Sequence, residues 1–125
     1  MAAFTHADFA ALALTTFPEL RDEFEDADGM VHLEMAALAG RADQARLAGD
    51  WDAYSRALDL VDRLWGNSDA MLGNALGVSF LEHLEFDGAS GAAAWERLPP
   101  RLQDEWRAMD AAMRDAAARA KELGL

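Results

Sequence analysis

The sequence predicts an all-α fold: one bundle of six or seven helices, arranged as antiparallel pairs around a central apolar helix. Three observations carry this expectation. The chain holds 28 Ala, the best helix former, against no Ile, three Val and three Thr, the β-branched residues that strands favour. Its apolar residues recur at spacings of three and four rather than alternating. Gly, Pro and capping residues fall between the periodic stretches, where helix ends belong. At 125 residues the chain reads as one domain, 1–125, able to bury roughly two-thirds of its unfolded surface.

The elements follow in order. Thr5 is placed to cap a first helix, with Asp8 as its capping-box partner and Phe9, Leu12 and Ala13 on the inner face. Phe17-Pro18 ends that helix, and Pro18 suits the first turn of a short second one through Phe24. A third helix is predicted from Met30 to Ala48, with Val31, Leu33, Met35, Leu38 and Leu47 apolar. Gly40 weakens it by about 1 kcal/mol relative to Ala. Gly49-Asp50 reads as a C-terminal Gly followed by an N-cap. Trp51, Tyr54, Leu58, Val61 and Trp65 form one stripe along a fourth helix, closed by Gly66-Asn67, with Ser68 capping the next. The fifth, from Asp69 to about Leu84, is apolar almost all round and is expected at the centre of the bundle. Its Gly73-x-x-x-Gly77 pair is read as a place where a neighbouring helix comes close. After a turn-rich loop, a short helix near Ala92–Arg97 carries Trp95. Pro99-Pro100 then opens a long helix, with Leu102, Trp106, Met109, Met113, Ala116, Ala120 and Leu123 in an unbroken heptad seam.

The charge is lopsided. Residues 1–87 carry 17 Asp/Glu against 5 Arg and no Lys, the whole of the formal net charge of −12. The remaining 38 residues balance 6 acidic against 6 basic groups. The chain therefore reads as an acidic body, 1–87, joined to a neutral C-terminal helix, 98–123. A cationic partner fits such a body, whereas phosphate backbones and anionic membranes, which attract Lys/Arg, do not. The chain has no Cys, which removes disulfides, thiol nucleophiles and Cys-ligated zinc. No Lys or Arg precedes Arg21, so the basic start of a signal peptide is missing, and the apolar run Phe9–Leu14 is too short to span a bilayer. A cytoplasmic location is expected.

The segment from Gly49 to Leu84 resembles the core of DUF7674, a family of small bacterial helical proteins. The opening Phe17-Pro18-Glu19-Leu20, a helix starting near His32, the Gly49-Asp50 turn, and a central helix ending Ser79-Phe80-Leu81-Glu82 carry the likeness. It covers about residues 17 to 106, and the final helix runs on past Met109, beyond the family's usual end. The resemblance brings no catalytic residues. It does imply a likeness to the acidic helical proteins found among bacterial immunity proteins, at the level of analogy.

Candidate sites are few. Glu19, Asp22, Glu23, Glu25, Asp26, Asp28 and Glu34 fall within 16 residues, opposed only by Arg21. They read either as a solvated face or as a field that steers a basic partner. Asp26-x-Asp28-Gly29 lacks the Gly and Glu positions of an EF-hand loop. His32 and His83 would form a metal site only by converging with Glu23, and hydrogen-bonding histidines are the plainer reading. Ser79 has no nucleophile elbow and reads as a packing residue. Trp95, beside the loop, is the aromatic best placed to anchor an interface. Trp106, Met109 and Met113 define a seam that either packs on the chain's own core or makes a homodimer. Taken together the sequence predicts a non-enzymatic protein-binding module without metal or cofactor, of immunity or antitoxin type, that occludes a basic partner. A homodimeric scaffold built on the C-terminal seam is the alternative.

Overall fold

The computed structural model describes residues 2–124, and among these it is helical with no strand. Seven α-helices run in order: α1 (His6–Thr16), α2 (Arg21–Asp26), α3 (Val31–Ala48), α4 (Trp51–Leu64), α5 (Ala70–Ala75), α6 (Gly91–Glu96) and α7 (Pro100–Glu122). A 3₁₀ turn, Pro18–Leu20, leads into α2. A π-helical turn, Leu76–Phe80, and a second 3₁₀ turn, Leu81–His83, extend α5.

The helix ends form where local chemistry places them. The Thr5 hydroxyl accepts from the Asp8 amide while the Asp8 carboxylate accepts from the Thr5 amide, a reciprocal capping box. Gly49 ends α3 at φ +73°, a left-handed conformation that glycine adopts without steric cost, and Asp50 caps α4 through the Ala53 amide. The expected cap of α5 moves by one residue. Asp69, not Ser68, accepts from the Leu72 amide, and the Ser68 hydroxyl instead donates back to the Leu64 carbonyl. The start of the chain is pinned at the same place. The Phe4 amide donates to the Asn67 carbonyl at 2.7 Å, and the Asp69 amide donates to the Phe4 carbonyl at 2.9 Å.

The hub of the bundle is α3. It packs on α4, α1, α2, α5 and the π-turn, and its inward stripe of Val31, Met35, Leu38, Ala42 and Ala45 is buried. It pairs with α4 as an antiparallel hairpin across Gly49-Asp50. Facing it, Tyr54, Ala57, Leu58, Val61 and Leu64 of α4 are 0–1 % exposed, and Phe9 and Ala13 of α1 close the layer. Each such Leu or Phe removed from water contributes roughly 1.5–3 kcal/mol.

The fifth helix departs from its expected central place. Leu72, Ala75, Leu76, Phe80 and Leu81 point inward, but Met71 and Val78 are 53 % and 45 % exposed, so it has one wet face. The predicted close approach at Gly73 and Gly77 is also absent: a Cβ built at either position meets nothing within 4 Å. The glycines face outward and floor an open groove.

The second expected helix pair is loose. α7 touches the extension of α5 at Leu81–His83, buries Leu102, and leaves the body after Met109 and Asp110. Residues 111–119 are all exposed. This overhang leaves the accessible surface at 7278 Å², against roughly 6,600 Å² for a compact chain of this mass. Among the described residues no helix is long and apolar enough to cross a membrane.

Candidate functional site

The acidic cluster forms one end of the molecule. Glu19 stands on the first 3₁₀ turn, Asp22, Glu23, Glu25 and Asp26 on α2, and Asp28 in the turn to α3. All six are exposed. That turn needs two successive left-handed residues, Asp28 at φ +51° and Gly29 at φ +76°, and Asp is among the few side chains that tolerate this region. Glu19 accepts a hydrogen bond from Arg41 Nε at 3.0 Å. Its own backbone amide, and then Arg41, hold its carboxyl below the ordinary carboxylate range. Asp22, Glu23, Glu25, Asp26 and Asp28 make no ion pair among the described residues.

Between α2 and α3 runs a shallow groove. Glu23, Asp26 and Ala27 form one wall, and Leu33, Ala36 and Ala37 of α3 form the other. It continues past Leu20 to Gly40, Arg41 and Gln44. Leu33 is 51 % exposed, and Met30 at the start of α3 is 60 % exposed. The site is therefore an apolar floor beside unneutralised carboxylates. The floor was readable but missed: Leu33, Ala36, Ala37 and Gly40 follow i, i+3, i+4, i+7, a second stripe beside the buried one. Glu34 does not join the acidic face. It is 5 % exposed and meets His6 Nε2 at 2.6 Å, tying α1 to α3.

Trp95 lies in a different cluster. Its ring stands 5.0 Å from Phe86 and 5.5 Å from Trp106, all three rings near edge-to-face, and the Arg107 guanidinium covers it at 4.9 Å. Such pairs contribute about 0.5–1.5 kcal/mol each beyond area burial. Trp95 is half-buried, and its rings hold α6, the preceding loop and α7 together. Trp106 belongs to this intrachain cluster. The seam residues thus part company: Trp106 is half-buried at home, Met109 packs partly on the core, and Met113 is 58 % exposed on the overhang.

His6 and His32 each find a single partner, whereas His83 is exposed and makes no hydrogen bond or ion pair among the described residues. His32 Nδ1 and Ser79 Oγ share a hydrogen bond of 2.6 Å, which the π-turn permits by rotating Ser79 inward. Ser79 is thus more than a packing residue: it ties the hub helix to the extension of α5. Arg46 was also unforeseen. It is 7 % exposed, its Nη1 donates to Ser90 Oγ at 2.7 Å, and its Nη2 donates to Asp43 at 2.6 Å. It fastens the loop before α6 to α3.

No curated protein and no solved structure matches the chain. A family model described as a domain of unknown function, DUF7674, matches residues 10–113, from within α1 to the first exposed turn of α7. The match takes in the acidic end, the α3–α4 hairpin, the π-turn and the aromatic cluster, and the chain belongs to the DUF7674 family.

Proposed function

We propose that this protein is a non-enzymatic binding module that covers a basic surface of another protein with the α2–α3 end of its body. One observation carries the reading: of five exposed carboxylates without ion-pair partners among the described residues, two, Glu23 and Asp26, line an open apolar groove, and the other three lie on the same short stretch of chain. Carboxylates that merely keep a protein soluble need no apolar floor beside them. A docking site benefits from both, because long-range attraction speeds encounter while buried apolar contacts slow escape. Leu33 and Met30 would supply the contact, and Asp22, Glu23, Glu25, Asp26 and Asp28 the field. Glu19 is occupied by Arg41 and serves the local fold. Occlusion of this kind is how an immunity or antitoxin protein acts, and we place the protein in the cytoplasm.

The test compares the wild-type chain with a Glu23→Lys, Asp26→Lys, Asp28→Lys variant as baits in the native lysate at low and high salt. We expect the wild type to retain one basic protein at low salt and lose it at high salt. The variant should associate with that protein at least about tenfold more slowly. Equal retention by both baits, or no retained protein, overturns the reading.

A further inference from the structure

We propose that two copies of this chain form a symmetric antiparallel dimer, in which the overhanging halves of the two α7 helices pair with each other and the last turn of each lies in the groove between α5 and α7 of the other copy. This goes beyond the acidic docking site and uses a different face.

The overhang has no contact to explain it. Residues 111–119 are exposed, Met113 is 58 % and Leu123 69 % exposed, and Ala112, Ala116 and Ala120 complete an apolar stripe that would otherwise face water. From residue 111 to Glu122 the helix reaches about 18 Å, at roughly 1.5 Å per residue. The groove is equally unexplained. Gly73, Gly77, Val78 and Glu82 line it from the fifth helix and its extension, and Glu105 and Met109 line it from α7. Among the described residues nothing lies within 4 Å of where a Cβ would stand on either glycine, and Val78 is 45 % exposed.

The two features match in shape, register and charge. A glycine floor admits a helix that presents Ala120 at close range. Setting Met113 opposite Ala116 of the second copy also sets Met109 opposite Ala120 and brings Leu123 beside Trp106, so the seam closes along its length. Arg119 and Lys121 flank the stripe on either side and make no ion pair among the described residues. In this register they arrive within about one helical turn of Glu105, at the acidic groove that Glu82 also lines. A parallel pairing instead sets Glu105 against Asp110 and brings two acidic bodies together at one end. The antiparallel pairing holds those bodies at opposite ends of the paired helices. One two-fold axis near Arg114 and Asp115 fills both grooves at once, as an isologous interface requires.

The experiment is the solution mass of the full chain by sedimentation equilibrium, for wild type and three variants. We expect the wild type at twice the chain mass of 13.6 kDa at micromolar concentration. Met113→Glu, at an exposed position, should leave the helical circular dichroism intact and weaken the dimer at least about tenfold, because symmetry places the new charge in the interface twice. Glu82→Lys with Glu105→Lys should weaken it too, and adding Arg119→Glu with Lys121→Glu to that variant should restore it. A monomeric wild type, or a dimer indifferent to Met113→Glu, overturns the proposal. A dimer broken by Met113→Glu but not rescued by the charge exchange overturns the antiparallel groove arrangement. None of these readouts depends on a basic partner, so the dimer and the acidic docking site stand or fall separately.

Discussion

Tyr54 is the one tyrosine of the chain, and its hydroxyl lies in the core with no hydrogen-bond partner among the described residues. Burial pushes its pKa up to about 12, while Arg46 nearby pulls weakly the other way. A group whose folded pKa is raised adds stability below its unfolded pKa and withdraws it as pH rises through the folded value. The stability held by neutral Tyr54 is therefore intact below about pH 10 and lost towards pH 12. Because no other tyrosine contributes, the tyrosinate absorbance reports this residue alone. It should titrate near 12 in the folded chain and near 10 in denaturant, and a folded-state midpoint near 10 would contradict the burial. Tyr54→Phe deletes an unpaired polar atom and keeps the ring edge-on to Trp51. It should leave the melting temperature unchanged or raise it by a few degrees, in line with roughly 1 kcal/mol for relieving a buried unpaired hydroxyl. Glu19 shows the opposite sign. Its lowered pKa adds stability above the ordinary carboxylate range, and that is lost in acid as the Arg41 pair is protonated apart.

At the scale of elements, two glycines make opposite predictions. Gly40 sits exposed in the middle of α3 with nothing near the position of a Cβ. Gly40→Ala should stabilise the chain by about 0.5–1 kcal/mol in urea unfolding, since Ala loses less backbone entropy. Gly91 opens α6 against the Phe86 backbone, and a Cβ there would collide with the Phe86 carbonyl. Gly91→Ala should cost about 1–3 kcal/mol and weaken the near-ultraviolet signal of the Phe86–Trp95–Trp106 cluster. If that signal and the stability are unmoved, the loop is not held as described. These elements also show what sequence could and could not reveal. Thr5, Gly49, Asp50 and Pro100 mark helix ends legibly, because caps and turns are settled within about four residues. The pairs His6–Glu34 and His32–Ser79 join positions 28 and 47 apart, and no local pattern reports them. Gly73 and Gly77 misled for a related reason. Two small residues one turn apart permit a neighbour, and only the packing of the rest decides whether one arrives. The acidic half of the candidate site was plain from composition, whereas its apolar floor needed the position of α2 over α3 to become a groove.

For the whole molecule the governing quantity is the formal net charge of −12, concentrated in the body. Like charges crowded in the folded state oppose compaction, and salt screens them over about 10 Å at 0.1 M. The melting temperature should therefore rise by several degrees between 10 mM and 0.5 M sodium chloride, and a flat or falling response would show the acidic end to be internally balanced. The same salt should weaken any basic partner while leaving apolar contacts in place, so stability and partner affinity should move in opposite directions. The clip of Phe4 between Asn67 and Asp69 has a further consequence, for the order of folding. It joins chain segments more than 60 residues apart through two backbone hydrogen bonds of about 1 kcal/mol each. Closing so long a loop costs more than two such bonds return, so the clip cannot nucleate anything. It can shut only after Phe9 and Ala13 have brought α1 down onto the hairpin, which makes the Phe4 and Asp69 amides a latch that closes in the last step of assembly and opens in the first step of its undoing, so both should exchange faster than the amides of the α3–α4 hairpin.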